Sequence, residues 1–171
     1  MKVFSKIESL GLSTAAILII AAATITQVKA LSISTNPVIF VETSLDGTDQ
    51  LINGSTTPWR VDASGETGGW NTTVSSTDFI NAESKTISVS NFQIRLLDAN
   101  IIWVSGDVTG PASSQTSFTS LSSTPVKIAS SAAGAGNGIY DLTPEFQLAI
   151  PAETYAGSYS ATMTIQIGTG P

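Results

Sequence analysis

The chain has 171 residues, seven Lys or Arg against thirteen Asp or Glu, a net charge of −6, and neither cysteine nor histidine. Without cysteine no disulfide can form, so stability must come from a hydrophobic core. Without histidine the commonest general base and metal ligand are missing together. The acidic balance argues against nucleic acid and anionic lipid as partners, since both need clustered Lys and Arg.

The first thirty residues read as a secretory signal peptide. Lys2 and Lys6 give a basic start, Ala15 to Ala23 is an unbroken apolar run, and Val28-Lys29-Ala30 sets up a cut after Ala30. An uncleaved membrane anchor is the competing reading, but Leu12 to Ile25 is shorter than the roughly 20 residues of a spanning helix. Cleavage leaves residues 31–171, with four basic residues against twelve acidic ones and a net charge of −8. The expected product is an acidic exported chain with no membrane span, long enough to bury one core.

Beyond Ala30 no helical period survives, and Ser, Thr and Gly are abundant. Leu31–Ser34 and Val38–Glu42 read as strands separated by Asn36-Pro37, where Pro37 lacks a backbone donor and belongs at an edge or bulge. Asp46-Gly47 and Asn53-Gly54 mark turns. Trp59-Arg60-Val61 and the run from Trp70 to Val74 flank a Gly-rich acidic turn, which predicts a β-hairpin. Thr86 to Leu96 alternates with a one-residue change of phase, the sign of a bulge. Asn100 to Ser105 (NIIWVS) predicts a strand buried on both faces, with Trp103 in the core. Gly110–Pro125 reads as a long loop, Val126–Ile128 as a short strand and Ala132–Gly138 as a Gly-rich loop. Tyr140 and Phe146–Ile150 form the next strand, ended by Pro151. From Tyr159 to Gly168 apolar and polar residues alternate, as in a half-buried antiparallel strand. The predicted fold is all-β: a single antiparallel β-sandwich, or flattened barrel, of about nine short strands.

Catalytic constellations are sparse. No histidine can activate a serine, no G-x-S-x-G elbow is present, and the G-x-G at Gly134 to Gly136 lacks the context of a phosphate site. A Ser–Lys pair through Lys85 or Lys127 and a carboxylate pair for glycoside hydrolysis remain as formal alternatives. A non-catalytic chain without cofactor is the expectation. Asp46, Asp49 and Asp62 are oxygen donors in loops but lack the spacing of a calcium loop, so turn capping explains them and no metal is expected. Trp59 and Trp70 are the candidate ligand or wall contacts, able to stack on sugar rings, although a strand tryptophan is more often core. Asn53-Gly54-Ser55 and Asn71-Thr72-Thr73 match the glycosylation acceptor pattern.

Several segments together carry a resemblance. They are the LSIS start at Leu31, the segment from Thr43 to Gly54 leading into Trp59-Arg60-Val61-Asp62, and Gly69-Trp70 running to Asp78-Phe79. Ile150-Pro151 before Gly157-Ser158-Tyr159, and the closing Ala161-Thr162-Met163-Thr164, complete the set. The chain resembles a divergent WxL domain, which implies an exported β-rich module held non-covalently on the Gram-positive cell wall through peptidoglycan, often beside other surface proteins. Both Trp-x-Leu motifs of that family are altered: the first position reads Trp70-Asn71-Thr72 and the second Ile165-Gln166-Ile167. The resulting expectation is a cell-wall or surface-protein binding module. The alternative is a structural subunit of an extracellular fibre or layer, self-associating through β-edges, with Leu31–Ser34 as the segment most prone to exchange.

Overall fold

Period-two alternation and frequent Gly and Pro punctuation give a chain built of short strands, here described by a computed structural model over residues 31–171. The signal-peptide reading of residues 1–30 lies outside the described residues. The first strands are β1 (Ser32–Ser34), β2 (Ile39–Phe40), β3 (Gln50–Ser55), β4 (Trp59–Asp62), β5 (Trp70–Ser76), β6 (Phe79–Asn81), β7 (Thr86–Ile87) and β8 (Phe92–Arg95). Next come β9 (Ile101–Gly106), β10 (Ala112–Ser113), β11 (Thr119–Ser120), β12 (Val126–Ser131), β13 (Gly138–Leu142), β14 (Glu145–Ile150), β15 (Tyr159–Ser160) and β16 (Met163–Thr169). All pairings are antiparallel. The all-β, antiparallel expectation therefore holds, but the described residues contain sixteen strands in four sheets rather than about nine.

Prolines account for much of the difference. The first sheet has the order β1-β4-β13-β9, and the second runs β2-β3-β14-β8-β11. Four stretches of chain thus cross both sheets in the same spatial order. Three of them break at a proline between their two strands: Pro37, Pro58 and Pro144. Proline donates no hydrogen bond and cannot continue a ladder, so each long strand divides there. The fourth stretch divides at a 3-10 turn, Asp98–Asn100.

The third sheet, β10-β12-β5-β16, and a small fourth one, β15-β6-β7, complete the chain. Buried side chains from all four sheets join one core, centred on Trp59, Trp70, Phe92, Tyr140 and Phe146. Trp59 meets Phe146 at 5.9 Å, Phe146 stacks on Phe92 at 5.6 Å, and Phe92 meets Phe79 edge-on at 5.2 Å. These are favourable aromatic separations. Trp70, on the third sheet, reaches Tyr140 of the first at 6.2 Å and donates its indole N–H to the Gly136 carbonyl at 2.9 Å.

Five local expectations are corrected. Asn53-Gly54 is not a turn but lies within β3, paired with Gln147 and Phe146. Trp59 and Trp70 do not face each other across a hairpin: β4 pairs with β1 and β13, whereas β5 pairs with β12 and β16. The turn between them carries the chain from the first sheet to the third, so both tryptophans enter the core from different sheets. Gly69 makes that crossing possible: its φ is +79°, and a Cβ there would lie 2.5 Å from the Ser131 carbonyl. The phase change in Thr86–Leu96 is a 3-10 turn at Val89–Asn91, not a bulge, and it moves the chain from the fourth sheet to the second. The Gly110–Pro125 loop contains β10 and β11. The last alternating run divides into β15 and β16, which belong to different sheets.

Replacing Trp70 with Phe keeps an aromatic ring but removes the N–H that satisfies the Gly136 carbonyl. A loss of about 1–3 kcal/mol is expected, because a buried acceptor is left unpaired. Urea unfolding should report it as a lower midpoint with an unchanged slope; an unchanged midpoint would deny the bond this role.

Candidate functional site

Neither predicted contact residue offers a surface. Trp59 and Trp70 are both 0% exposed. No indole face of either is open to an incoming ring. Their hydrophobic area serves the core, which is the commoner use of a strand tryptophan. Trp59 Nε1 has no hydrogen-bond partner among the described residues, a further sign of how completely it is enclosed.

The exposed tryptophan is the one expected in the core. Trp103 is 50% exposed, with Ile102 at 53% and Val104 at 39% beside it. The apolar run is real, but β9 is the last strand of its sheet, so a strand pattern that would be buried centrally is half uncovered here. Trp103 lies opposite the buried Tyr140, and Ile102 lies opposite Asp141. The register then shifts, leaving Val104 as the extra residue of a bulge. A bulge blunts an edge against further strand pairing and re-aims its side chains. The arrangement therefore presents side chains more readily than backbone.

The indole is held in place. Trp103 Nε1 donates to the Gly106 carbonyl at 3.3 Å. Gly106 has φ +90°, and a Cβ there would run into the Asn137 carbonyl, so the turn that supplies this acceptor requires glycine. Behind the strand, the Tyr140 hydroxyl donates to the Asp107 carbonyl at 2.6 Å. Burial first, and then the Asp107 charge, pushes the Tyr140 hydroxyl above its usual range.

A polar row crosses the same sheet. Ser34, Arg60 and Asp141 are neighbours across three strands, and the row ends at the apolar Ile102 on β9. Arg60 grips Asp141 with two bonds, Nε to Oδ1 at 2.8 Å and Nη2 to Oδ2 at 2.7 Å. The Arg60 hydrogen bond holds the Asp141 carboxyl below the usual range, aided by the Arg60 charge and opposed by partial burial. Ile102 shares the face of this ion pair, whereas Trp103, opposite Tyr140, does not; the pinned indole by itself can stack on a sugar ring or seat an apolar side chain.

The other candidates are engaged locally. Asp46 Oδ1 accepts from the Thr48 amide and hydroxyl, at 3.0 and 2.7 Å, Asp62 Oδ1 from the Ser64 amide at 3.1 Å, and Asp49 Oδ1 from the Ala152 amide at 2.8 Å. Carboxylates used in this way cap turns and fasten loops. Among the described residues no three acidic side chains gather as a metal site would need. Asn53 and Asn71 both lie on strands, bonded to Gln147 and to the Gly170 carbonyl. Lys85 rests over the Tyr155 ring at 4.2 Å, and Arg95 bonds Glu145 at 2.6 Å while lying over the Phe118 ring at 4.4 Å. Among the described residues no helix is long and apolar enough to cross a membrane.

No known protein family matches the chain, and no curated protein does. Among solved structures it is similar to a family 123 glycoside hydrolase from Clostridium perfringens, analysed for glycolipid glycan hydrolysis. The identity is 18% and the TM-score 0.38, over 71% of this chain and 18% of the hydrolase. A likeness that small assigns neither activity nor substrate.

Three variants test these placements. Trp59→Ala should cost about 3–5 kcal/mol in urea unfolding, the range for emptying a core tryptophan site. Trp103→Ala should stay within about 1 kcal/mol of the parent, as for a surface change; comparable losses would mean that Trp103 is not a free surface. Asp141, with its carboxyl held low, contributes stability above its unfolded pKa and loses it as pH falls through the folded value. Thermal melts from neutral pH to below pH 3.8, the ordinary Asp value, should therefore show a shallower acid decline for Asp141→Asn. The effect is small because Arg60 is exposed, and identical acid limbs would remove the linkage.

Proposed function

We propose that this chain is an exported, non-catalytic surface module, a single β-sandwich that associates non-covalently with wall peptidoglycan or with other surface proteins. The observation that carries this reading is Trp103, an exposed, hydrogen-bonded tryptophan between Ile102 and Val104 on a bulged edge strand. Isolated exposed apolar residues are ordinary, but here a half-exposed tryptophan on an edge strand is flanked by two further exposed apolar residues. The resemblance to a WxL domain and the signal-like leader support the location. Trp59 and Trp70 have no open face, so the reading assigns the contact to Trp103 instead of the altered Trp-x-Leu position.

The test is co-sedimentation of the purified protein with peptidoglycan over a series of salt concentrations. Retention at low salt and release by mild denaturant are expected, with a several-fold lower retained fraction for Trp103→Ala at unchanged melting temperature. Protein that stays wholly in the supernatant at every salt overturns wall binding.

A second reading is a self-associating structural subunit of a fibre or layer. The edge strands β1 and β2 favour it, because Ile39 and the adjoining Val41 are left exposed there.

A further inference from the structure

The run Val38-Ile39-Phe40-Val41 is apolar on both faces, the pattern of a strand covered on two sides. The fold covers one side only. Val38 and Phe40 turn inward, where Phe40 meets Phe92 at 5.8 Å and Phe79 at 6.3 Å. Both crowd the bare backbone of Gly54: a Cβ there would lie 2.7 Å from Phe40 and 2.8 Å from Val38. Gly54 is thus a notch in β3 shaped for these two side chains. Ile39 and Val41 turn outward, 67% and 79% exposed.

This specific fit is weakly secured. Three register pairs join β1 to β4 and two join β2 to β3. No residue of 31–41 is fully buried. Open clefts of about 600 and 850 Å³ both border Phe40, one also lined by Met163 and Ile165, the other by Ile87, Leu148 and Ile150. Few buried contacts and adjoining solvent-open clefts place such a segment at the low end of local stability. Residues 41–49 then form no strand and are exposed throughout, so a long hinge separates the segment from β3.

We propose that residues 31–40 exchange between two copies of this chain, each copy's Val38 and Phe40 filling the other's notch at Gly54. This rests on the self-association reading. The groove's occupant is already defined, because the chain's own segment fills it. An identical segment from a second copy restores every contact that is released, which makes exchange a low-cost route to a dimer. Ile39 and Val41, exposed in the single copy, are the apolar side chains beside the hinge that a second copy can cover. The cost is the association entropy, so exchange depends on concentration.

The chain has no cysteine, which permits a direct test. Ile39 and Ser55 are exposed register partners on β2 and β3, within disulfide reach for directly opposed strand residues. The full-length Ile39→Cys/Ser55→Cys protein is oxidised mildly at high and low concentration, then run on a non-reducing denaturing gel. Light scattering reports the native mass of the same samples. The expected result is a disulfide-linked dimer that grows with concentration and is absent from either single variant. Deleting residues 43–45, which shortens the hinge and strains the closed form, is expected to raise the dimer fraction several-fold. A native dimer whose disulfides are all within one chain overturns exchange but leaves self-association standing. A monomer at every concentration, with and without the deletion, overturns both.

Discussion

The contact on which the two sides of the core depend is the one between Trp70 and the first sheet. Its ring meets Tyr140, and its N–H closes on the Gly136 carbonyl in the loop that leads into β13. A buried indole of this size brings a large apolar area out of water, while the polar tip needs one correctly placed acceptor. The Gly-rich stretches supply the geometry. Gly69 lets the chain turn under the Ser131 carbonyl, and residues 132–137 form the loop that carries the acceptor. The tryptophan, its acceptor and the turn before it therefore fasten sheets that exchange no backbone hydrogen bonds.

Because the central aromatics close the middle of the structure, its unfinished apolar surface lies at the edges. One edge carries β1 and β2, and the other edge of the first sheet carries β9. Both contain a run that is apolar on both faces, and both are covered on one side. They differ in how the edge is protected. β9 has a bulge and a pinned indole, so it offers side chains. The β2 edge has no bulge and a short, loosely seated strand beside a long hinge, so it offers the strand itself. The two kinds of association proposed, contact with a surface through Trp103 and exchange with a second copy through residues 31–40, follow from this difference; β1 and β9 are opposite edges of the first sheet, and β2 is an edge of the second.

Much of the fold was legible in the residues. Val126–Ile128 and Phe146–Ile150 lie on strands, and the Ala132–Gly138 segment is a loop up to the start of β13. What alternation does not reveal is which strands pair. Trp59–Val61 and Trp70–Val74 alternate as hairpin arms would, yet they belong to different sheets, because the turn between them crosses the core instead of folding back. Pro58 and Pro144 were a readable signal for the extra strand breaks, since each removes a ladder donor between two apolar runs. The candidate site was less legible. A continuous apolar run such as Asn100–Ser105 looks the same for a central strand and an edge strand, and only the sheet order separates them.

By itself, the amino-acid sequence determined the all-β character, the dependence on an apolar core without disulfides, and the acidic balance of the chain. These follow from local preference and composition, which act within a few residues. Sheet membership, the burial of Trp59 and Trp70, the exposure of Trp103 and the seating of Phe40 against Gly54 were decided only by the tertiary structure. Each depends on which distant strand lies alongside. Burial is a property of that neighbour as much as of the residue, so the same tryptophan can be core or surface according to its place in the sheet.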